Sequence, residues 1–293
     1  MADRNVGIIG LGIIGGAMAR NLVERGRKVT GFDTEPARRR ELAQAGVTIA
    51  DNVRAVASAA TLLITSLPNA DAAAAVATEI AASDLSPRIV IETSTFTISD
   101  KMRFKAILDP AGHIALDCPL SGTGAQAAVR DLVVYASGDK AAIARCAELF
   151  ADFSKQSADL GEYGNGSRMK FVANHLVAIH NVASAEAMLL AERAGLDLNQ
   201  VIEMVGPGAG GSRMFQMRAP MMANRAYEPA TMRISTWKKD MAIIEEFADG
   251  LGLKTPMFTL TQPVYTQAMA MGLGPQDTAA VFEVLKANDE AAK

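Results

Sequence analysis

Residues 6–33 constrain the fold of this chain more than any other stretch. Val6–Ile9 is a short, uninterrupted apolar run of the kind a strand buried on both faces requires, and Gly10-Leu11-Gly12-Ile13-Ile14-Gly15 follows it directly. In a strand-to-helix turn the three glycines have separate tasks. Gly10 permits the tight turn, Gly12 lets the backbone approach a pyrophosphate, and Gly15 lets the next helix pack closely on the strand, with phosphates held at the helix N-terminus. The helix is expected from Gly15 to about Arg25, where Gly26 ends it. Lys28–Phe32 reads as a second strand, and Asp33 stands at its end, 18 residues after Gly15, where a carboxylate can bond ribose hydroxyls. A lone glycine motif is weak evidence, but here strand, glycines, helix, strand and acid occur in order. They predict a dinucleotide site built from Gly10, Leu11, Gly12, Ile13, Ile14, Gly15 and Asp33. Asp33 favours NAD over NADP, because a carboxylate repels a 2′-phosphate. Arg38-Arg39-Arg40 is the counter-evidence; following Pro36, it reads more readily as a solvated helix face than as a phosphate clamp.

The alternation continues through strands at Val47–Ala50, Leu62–Ile64, Ile89–Ile91, Ile114–Leu116 and Leu132–Ala136, separated by helical runs such as Asp71–Ala82. Regular alternation over about 160 residues predicts an α/β fold, a Rossmann-type doubly wound parallel sheet with ligands beyond the carboxyl ends of its strands. Three loops leaving those ends carry small or polar residues: Ser66–Asn69, Thr93–Thr95 and Ser121–Gly124. Leu67, Pro68 and Thr95 are candidates for cofactor contact. Ser121, Gly122 and Thr123 present backbone N–H groups and hydroxyls suited to a carboxylate, although composition alone favours a plain flexible loop.

After Gly161 the strand pattern stops, so the expected division is a nucleotide-binding domain over 1–161 and an all-helical domain over 162–293. Asn199–Val205, Trp237–Gly250 and Pro275–Ala287 are its clearest helices, and the methionines after the glycine-rich break at 206–211 read as core or interface filler. Gly161–Gly195 reads as one long helix, with Asn165 and Ser167 as capping candidates and Gly195 at its C-terminal end. At about 100° per residue, Lys170, Asn174 and Asn181 fall within roughly 40° of one another on an otherwise apolar helix. A lysine there must face water, a partner or a substrate. It is either a general acid/base or a snorkelling lysine beside structural asparagines.

Composition narrows the classes further. At 49% hydrophobic and 21% charged, the 293 residues describe a folded α/β chain with enough material for about two domains. A formal net charge of -3 without a basic stripe argues against nucleic acid as a partner. Cys118 and Cys146 have no metal-ligand spacing and suggest reduced thiols in a cytoplasmic protein. Residues 4–19 imitate an export leader ending in Ala17-Met18-Ala19, but five glycines make a poor apolar segment, and no run is long enough to span a membrane.

Taken together, these stretches resemble the β-hydroxyacid dehydrogenase family, which includes 3-hydroxyisobutyrate dehydrogenase and tartronate semialdehyde reductase. The glycine turn through Asp33 resembles the family's cofactor signature, and Asp117-Cys118-Pro119-Leu120-Ser121-Gly122-Thr123-Gly124-Ala125 resembles its substrate loop. Gly164-Asn165-Gly166 with Lys170 and Asn174 resembles its catalytic helix, and Lys239-Asp240 a lysine-aspartate motif in its second domain. The resemblance implies hydride transfer between a nicotinamide and a short 3-hydroxy acid. Lys170 would be the acid/base, with its pKa lowered by burial, and Asn174 would hold the substrate oxygen. Ser121 and Gly122 would hold the carboxylate, with Thr95 and Lys239 toward the cofactor. Without the resemblance, Lys239 reads as a surface lysine paired with its neighbours.

Two positions depart from the family pattern. Thr123 replaces a glycine in the substrate loop, and His175 stands where a second asparagine is common. Both lie on the substrate side, although His175 points about 140° away from Lys170 on helical periodicity. The resemblance also implies a homodimer or homotetramer. Imine reductases share the fold but usually lack the lysine, and a non-catalytic dinucleotide-binding module is the alternative from another class. Decarboxylating phosphogluconate enzymes have a larger second domain than this chain can hold.

Overall fold

Why the first half alternates is visible in how its strands are shared between two cores. The computed structural model describes residues 4–292. It opens with β1 (Asn5–Ile9), α1 (Ile13–Glu24), β2 (Lys28–Phe32), α2 (Pro36–Gln44), β3 (Thr48–Ile49), α3 (Val53–Ala59) and β4 (Leu62–Thr65). There follow α4 (Ala70–Ala81), β5 (Ile89–Glu92), α5 (Ile98–Leu108), β6 (Ile114–Asp117), β7 (Leu120–Ser121), α6 (Gly124–Ala128), β8 (Val133–Gly138), α7 (Lys140–Phe153) and β9 (Gln156–Asp159). Successive strand residues point to opposite faces, so Leu62 and Ile64 of β4 join Met18, Leu22, Phe150 and Phe153 in one core, while Leu63 joins Val56, Ile80 and Phe104 in the other. A strand buried on both sides needs the continuous apolar runs read from the sequence.

The sheet order is β3-β2-β1-β4-β5-β6-β8-β7, with β9 paired to β8. From β3 to β6 every pairing is parallel, as expected. The far edge adds an exception to the parallel order, since β8 runs antiparallel to both β6 and β7. The connection from β7 to β8 holds only the five-residue α6, too little for the helical crossover that a parallel return requires. β9, which the apolar pattern gave no reason to expect, reads Gln-Ser-Ala-Asp and is a strand because it pairs with β8.

The chain divides into two compact units between Lys170 and Phe171, inside the helix α8 (Asn165–Arg193). The second unit continues with α9 (Leu198–Val205), α10 (Arg213–Ala223), α11 (Ile234–Gly250), α12 (Pro256–Ala270) and α13 (Val281–Ala291). Asn181 of α8 donates to Tyr265 Oη and to the Thr278 carbonyl, both at 2.8 Å, which ties three segments of this unit together. The helix expected from Pro275 begins only at Val281. The buried Asp277 carboxylate accepts from Thr231 N and Ala279 N and stands 3.2 Å from Arg218, so it caps a short 3-10 turn there instead. Helices α10 and α12, which the sequence reading did not single out, each carry an internal proline, Pro220 and Pro263. Among the described residues no helix is long and apolar enough to cross a membrane.

Candidate functional site

The glycine turn has the geometry its three tasks require. Gly10 has φ +92°, and a Cβ there would lie 2.1 Å from the Ser66 carbonyl oxygen; a Cβ at Gly15 would lie 1.9 Å from that of Gly10. Gly12 differs: a Cβ would meet no described atom within 4 Å. Gly12 is the N-cap of α1 and offers no side-chain cap to the helix, so the first-turn N–H groups have no partner from the cap residue. The open space belongs to a cavity of about 220 Å³ lined also by Ile13, Arg20, Arg38 and Gly124. Ile13 is 57% exposed and Ile14 half-buried, whereas Leu11 is buried. The residues present therefore fit a dinucleotide phosphate, with uncapped N–H donors and no side chain in the way.

Asp33 is already oriented. Its Oδ2 accepts from Leu11 N at 2.7 Å and its Oδ1 from Glu35 N at 2.8 Å, which leaves lone pairs on both oxygens for ribose hydroxyls. Arg38 donates to Glu41, and the Arg39 guanidinium lies over the Phe32 ring, 6.0 Å from its centroid. The arginine run is thus a half-buried to exposed helix face.

The two loops expected on the cofactor side, 66–69 and 93–95, are joined to each other. Leu67 N donates to Ser94 Oγ at 2.8 Å, and Ser94 N donates to Glu92 Oε1 at 2.8 Å; Pro68 is exposed and Thr95 half-buried. Glu92 leads into a cluster that the sequence reading missed. Lys101 of α5 is completely buried and pairs through Nζ with Glu92 Oε2 and, at 2.9 Å, with Asp117 Oδ1, both carboxylates being completely buried too. Burial pulls the Lys101 ammonium down, the Asp117 and Glu92 charges push it up, and the balance lies above the ordinary lysine value. Lys101 shares the buried face of α5 with Phe104 and Leu108, but beside Asp100 and Arg103 it reads as an ordinary surface charge. Asp117 opens the Asp117–Ala125 loop, and nothing in its local sequence points to a buried partner.

In that loop Gly122 has φ +138°, and a Cβ there would come within 2.6 Å of Leu132. Ser121 ends β7, and Thr123 is the N-cap of α6. Thr123 N and Oγ1 both donate to Gln126 Oε1, at 3.0 and 3.4 Å. The Thr123 hydroxyl therefore has a local capping task.

Helix α8 is capped otherwise than expected. Asn165 donates to the Leu160 carbonyl, and Ser167 Oγ donates to Asp117 Oδ1 at 2.8 Å. Two first-turn N–H groups find acceptors in the sheet, Ser167 N donating to Asp117 Oδ2 at 2.7 Å and Gly166 N to Ser137 Oγ at 2.9 Å, while Asn165 N donates to the Glu162 carbonyl at 3.0 Å. Lys170, one turn later, is only 8% exposed, which excludes a freely solvated head group. In the second unit the buried Asn174 donates to Asp240 Oδ2 at 3.2 Å, and Lys239 Nζ stands 3.2 Å from Asp240 Oδ1 with its side chain 40% exposed. Asp240 thereby brings Asn174 and Lys239 together. His175 stacks on Phe258 with centroids 5.3 Å apart and ring planes 14° apart, a packing contact. Asn181, third of the polar stripe, is spent on structure.

Comparison with known proteins agrees with this geometry. Residues 5–161 match the NAD binding domain of 6-phosphogluconate dehydrogenase, and residues 164–285 match the family described as NAD-binding of NADP-dependent 3-hydroxyisobutyrate dehydrogenase. An L-threonate dehydrogenase of Escherichia coli O6:H1 is 30% identical over 288 residues, covering 97% of this chain and 95% of that protein. The chloroplastic glyoxylate/succinic semialdehyde reductase 2 of Arabidopsis thaliana is 28% identical over 97% of this chain and 80% of its own length. The crystal structure of 3-hydroxyisobutyrate dehydrogenase from Salmonella typhimurium superposes with a TM-score of 0.86 at 28% identity, covering 96% of this chain and 99% of that one. With an oriented acid and an uncapped helix after the glycine turn, and with similarity running the length of both units, the chain belongs to the β-hydroxyacid dehydrogenase family, nicotinamide-dependent oxidoreductases acting on the CH–OH group of short hydroxy acids.

Proposed function

We propose that this chain interconverts a short 3-hydroxy acid and its semialdehyde or keto acid, with Lys170 as the general acid/base. The observation that carries the reading is an 8% exposed lysine on the helix whose first turn is bound to the sheet, in a chain of this family. A bound nicotinamide would supply the hydride acceptor or donor. In the oxidative direction Lys170 Nζ takes the hydroxyl proton as hydride leaves the same carbon; in the reductive direction it returns that proton to the carbonyl oxygen. Asn174 holds the substrate oxygen, Ser121 and Gly122 hold the carboxylate, and Thr123 shapes the loop between them through its bond to Gln126. His175 contributes to the substrate side through the packing of its ring on Phe258. The cofactor is held by Gly10 to Gly15, Asp33, Leu67, Pro68, Thr95 and Lys239. Relatives named for threonate, glyoxylate, succinic semialdehyde and 3-hydroxyisobutyrate support a small carboxylate-bearing substrate.

NAD is the preferred cofactor in this reading, because Asp33 presents negative charge where a 2′-phosphate would lie and Arg38 is engaged by Glu41. Residues 1–161 bind the cofactor and 162–293 serve substrate and assembly. Val172, Leu176 and Leu190 of α8 are 48–71% exposed, which supports a homodimer or homotetramer; two buried free thiols support a cytoplasmic protein.

The test is nicotinamide absorbance with NAD or NADP and a panel of 3-hydroxy acids, 2-hydroxy acids, semialdehydes and cyclic imines. We expect turnover with some 3-hydroxy acids, faster with NAD, and a loss of about 10²-fold or more in Lys170→Ala without loss of NAD binding. Asp33→Ser should narrow the NAD preference. Turnover of imines alone, or NAD binding without turnover of any compound, would reject the assignment.

A further inference from the structure

We propose that Asp117 is a positioning residue for Lys170: held by the buried Lys101–Glu92 pair, it anchors the first turn of α8 to the sheet and so sets where the lysine amine stands. The inference rests on the reading of Lys170 as acid/base given above. A helix N-terminus leaves four N–H groups without intrahelical partners, and such groups are commonly bonded by a residue just ahead of the helix. In α8 Asn165 N is bonded in that way, by the Glu162 carbonyl, and the next two are bonded from strands. Asp117, the last residue of β6, accepts from Ser167 N and Ser167 Oγ, and Ser137 of β8 accepts from Gly166 N. The anchorage is also steric, since a Cβ at Gly166 would lie 2.3 Å from the Tyr135 carbonyl oxygen and 2.6 Å from that of Asp117.

A helix held by its own neighbouring residue can pivot; one bonded to two strands cannot tilt without breaking those bonds. Lys170 follows Gly166 by four residues, about 6 Å along the axis and about 40° around it, so it lies on the anchored side and follows any tilt of the first turn. The charge on Asp117 strengthens its bonds to Ser167, and burying that charge requires a partner, which Lys101 supplies at 2.9 Å. Lys101 is shared with Glu92, whose other oxygen accepts from Ser94 N, while Ser94 Oγ accepts from Leu67 N. One buried ammonium therefore links the helix of the acid/base to both cofactor-side loops.

The experiment is a double-mutant cycle of Asp117→Asn with Lys170→Ala, assayed with and without ethylamine as a replacement base. Asp117→Asn keeps shape and an acceptor oxygen while removing the charge. In the parent we expect kcat to fall about tenfold or more, with the KM for the hydroxy acid and the Kd for NAD within about twofold. In Lys170→Ala, with ethylamine supplying the base, the same change should cost less than about twofold. Equal losses in both backgrounds, or an unchanged kcat in the single variant, would overturn the inference while leaving the role of Lys170 standing. Undiminished turnover by Lys170→Ala would remove that role, and the inference with it. Should Asp117→Asn not fold, Ser137→Ala and Ser167→Ala each delete one hydroxyl of the anchor and go through the same cycle, with losses of about threefold expected in the parent only.

Discussion

At Gly15 there is no room for a methyl group. The clash would be with the backbone oxygen of Gly10 at 1.9 Å, and backbone at the end of a buried strand cannot swing aside as a flexible side chain can. Gly12, in the same motif, has open space in the place of a Cβ. The two glycines therefore separate stability from binding. We expect Gly15→Ala to destabilise the fold by about 1–3 kcal/mol or more, seen as a lower denaturation midpoint without any ligand. Gly12→Ala should leave that midpoint within about 0.5 kcal/mol of the parent and still weaken NAD, because its methyl group fills open space at the N-cap of α1, where a pyrophosphate has to approach the backbone. A midpoint lowered equally by both substitutions would contradict this division. These tasks were legible in the sequence because the turn chemistry is local: strand, glycine and acid lie within residues 6–33. Thr123 and His175 were legible as departures but not in role, since what engages them is Gln126 and Phe258, the latter 83 positions away.

At the scale of elements, sequence and structure agree wherever a segment's own pattern decides its state. β1 and β4 hold continuous apolar runs, β2 alternates exposed or half-buried with buried residues, and α8 carries a polar stripe on an otherwise apolar helix of 29 residues. They part where pairing decides. β9 has little apolar character and exists through β8, and β8 turns antiparallel because α6 is short. Helices α10 and α12 run through prolines that a local reading takes as breaks. The Glu92–Lys101–Asp117 cluster belongs to the same class, because each residue alone looks like an ordinary charge and only strand order puts β5 beside β6. Its energetic consequence is large. Lys101→Met would leave two completely buried carboxyls facing one another, and removing one partner of a buried pair costs about 3–5 kcal/mol. We expect that loss in urea midpoints at neutral pH. Below the range where carboxyls ionise the loss should shrink, since protonated carboxyls no longer repel. A pH-independent loss would mean that the methionine simply packs badly.

At the scale of the whole molecule, two buried thiols, one phenol and Lys101 form an alkaline liability of one sign. Burial pushes the Cys146 thiol up to about 12, from an ordinary 9.0, and pushes Cys118 up as well. Burial, with the Asp117 and Glu92 charges, also raises the Tyr163 phenol, and Lys101 lies above its usual value under the same two carboxylates. For each group the folded state holds a proton that the unfolded chain releases first. Stability is then complete below the unfolded value and falls as pH rises above it, by up to about 1.4 kcal/mol per pH unit for each proton held. The thiols act first, above about 9, and Lys101 joins above its ordinary 10.5. We expect urea midpoints to be flat near neutrality and to fall steeply on the alkaline side, with Cys146→Ala reducing the slope by about one proton between 9 and about 12. Because both thiols are completely buried, a thiol reagent should leave the native protein unlabelled and react with two groups on unfolding. An alkaline slope unchanged by Cys146→Ala would place the proton elsewhere. Rapid labelling of the native chain would show that the core around α7, into which Cys146 packs with Leu149 and Phe150, opens far more readily than its burial implies.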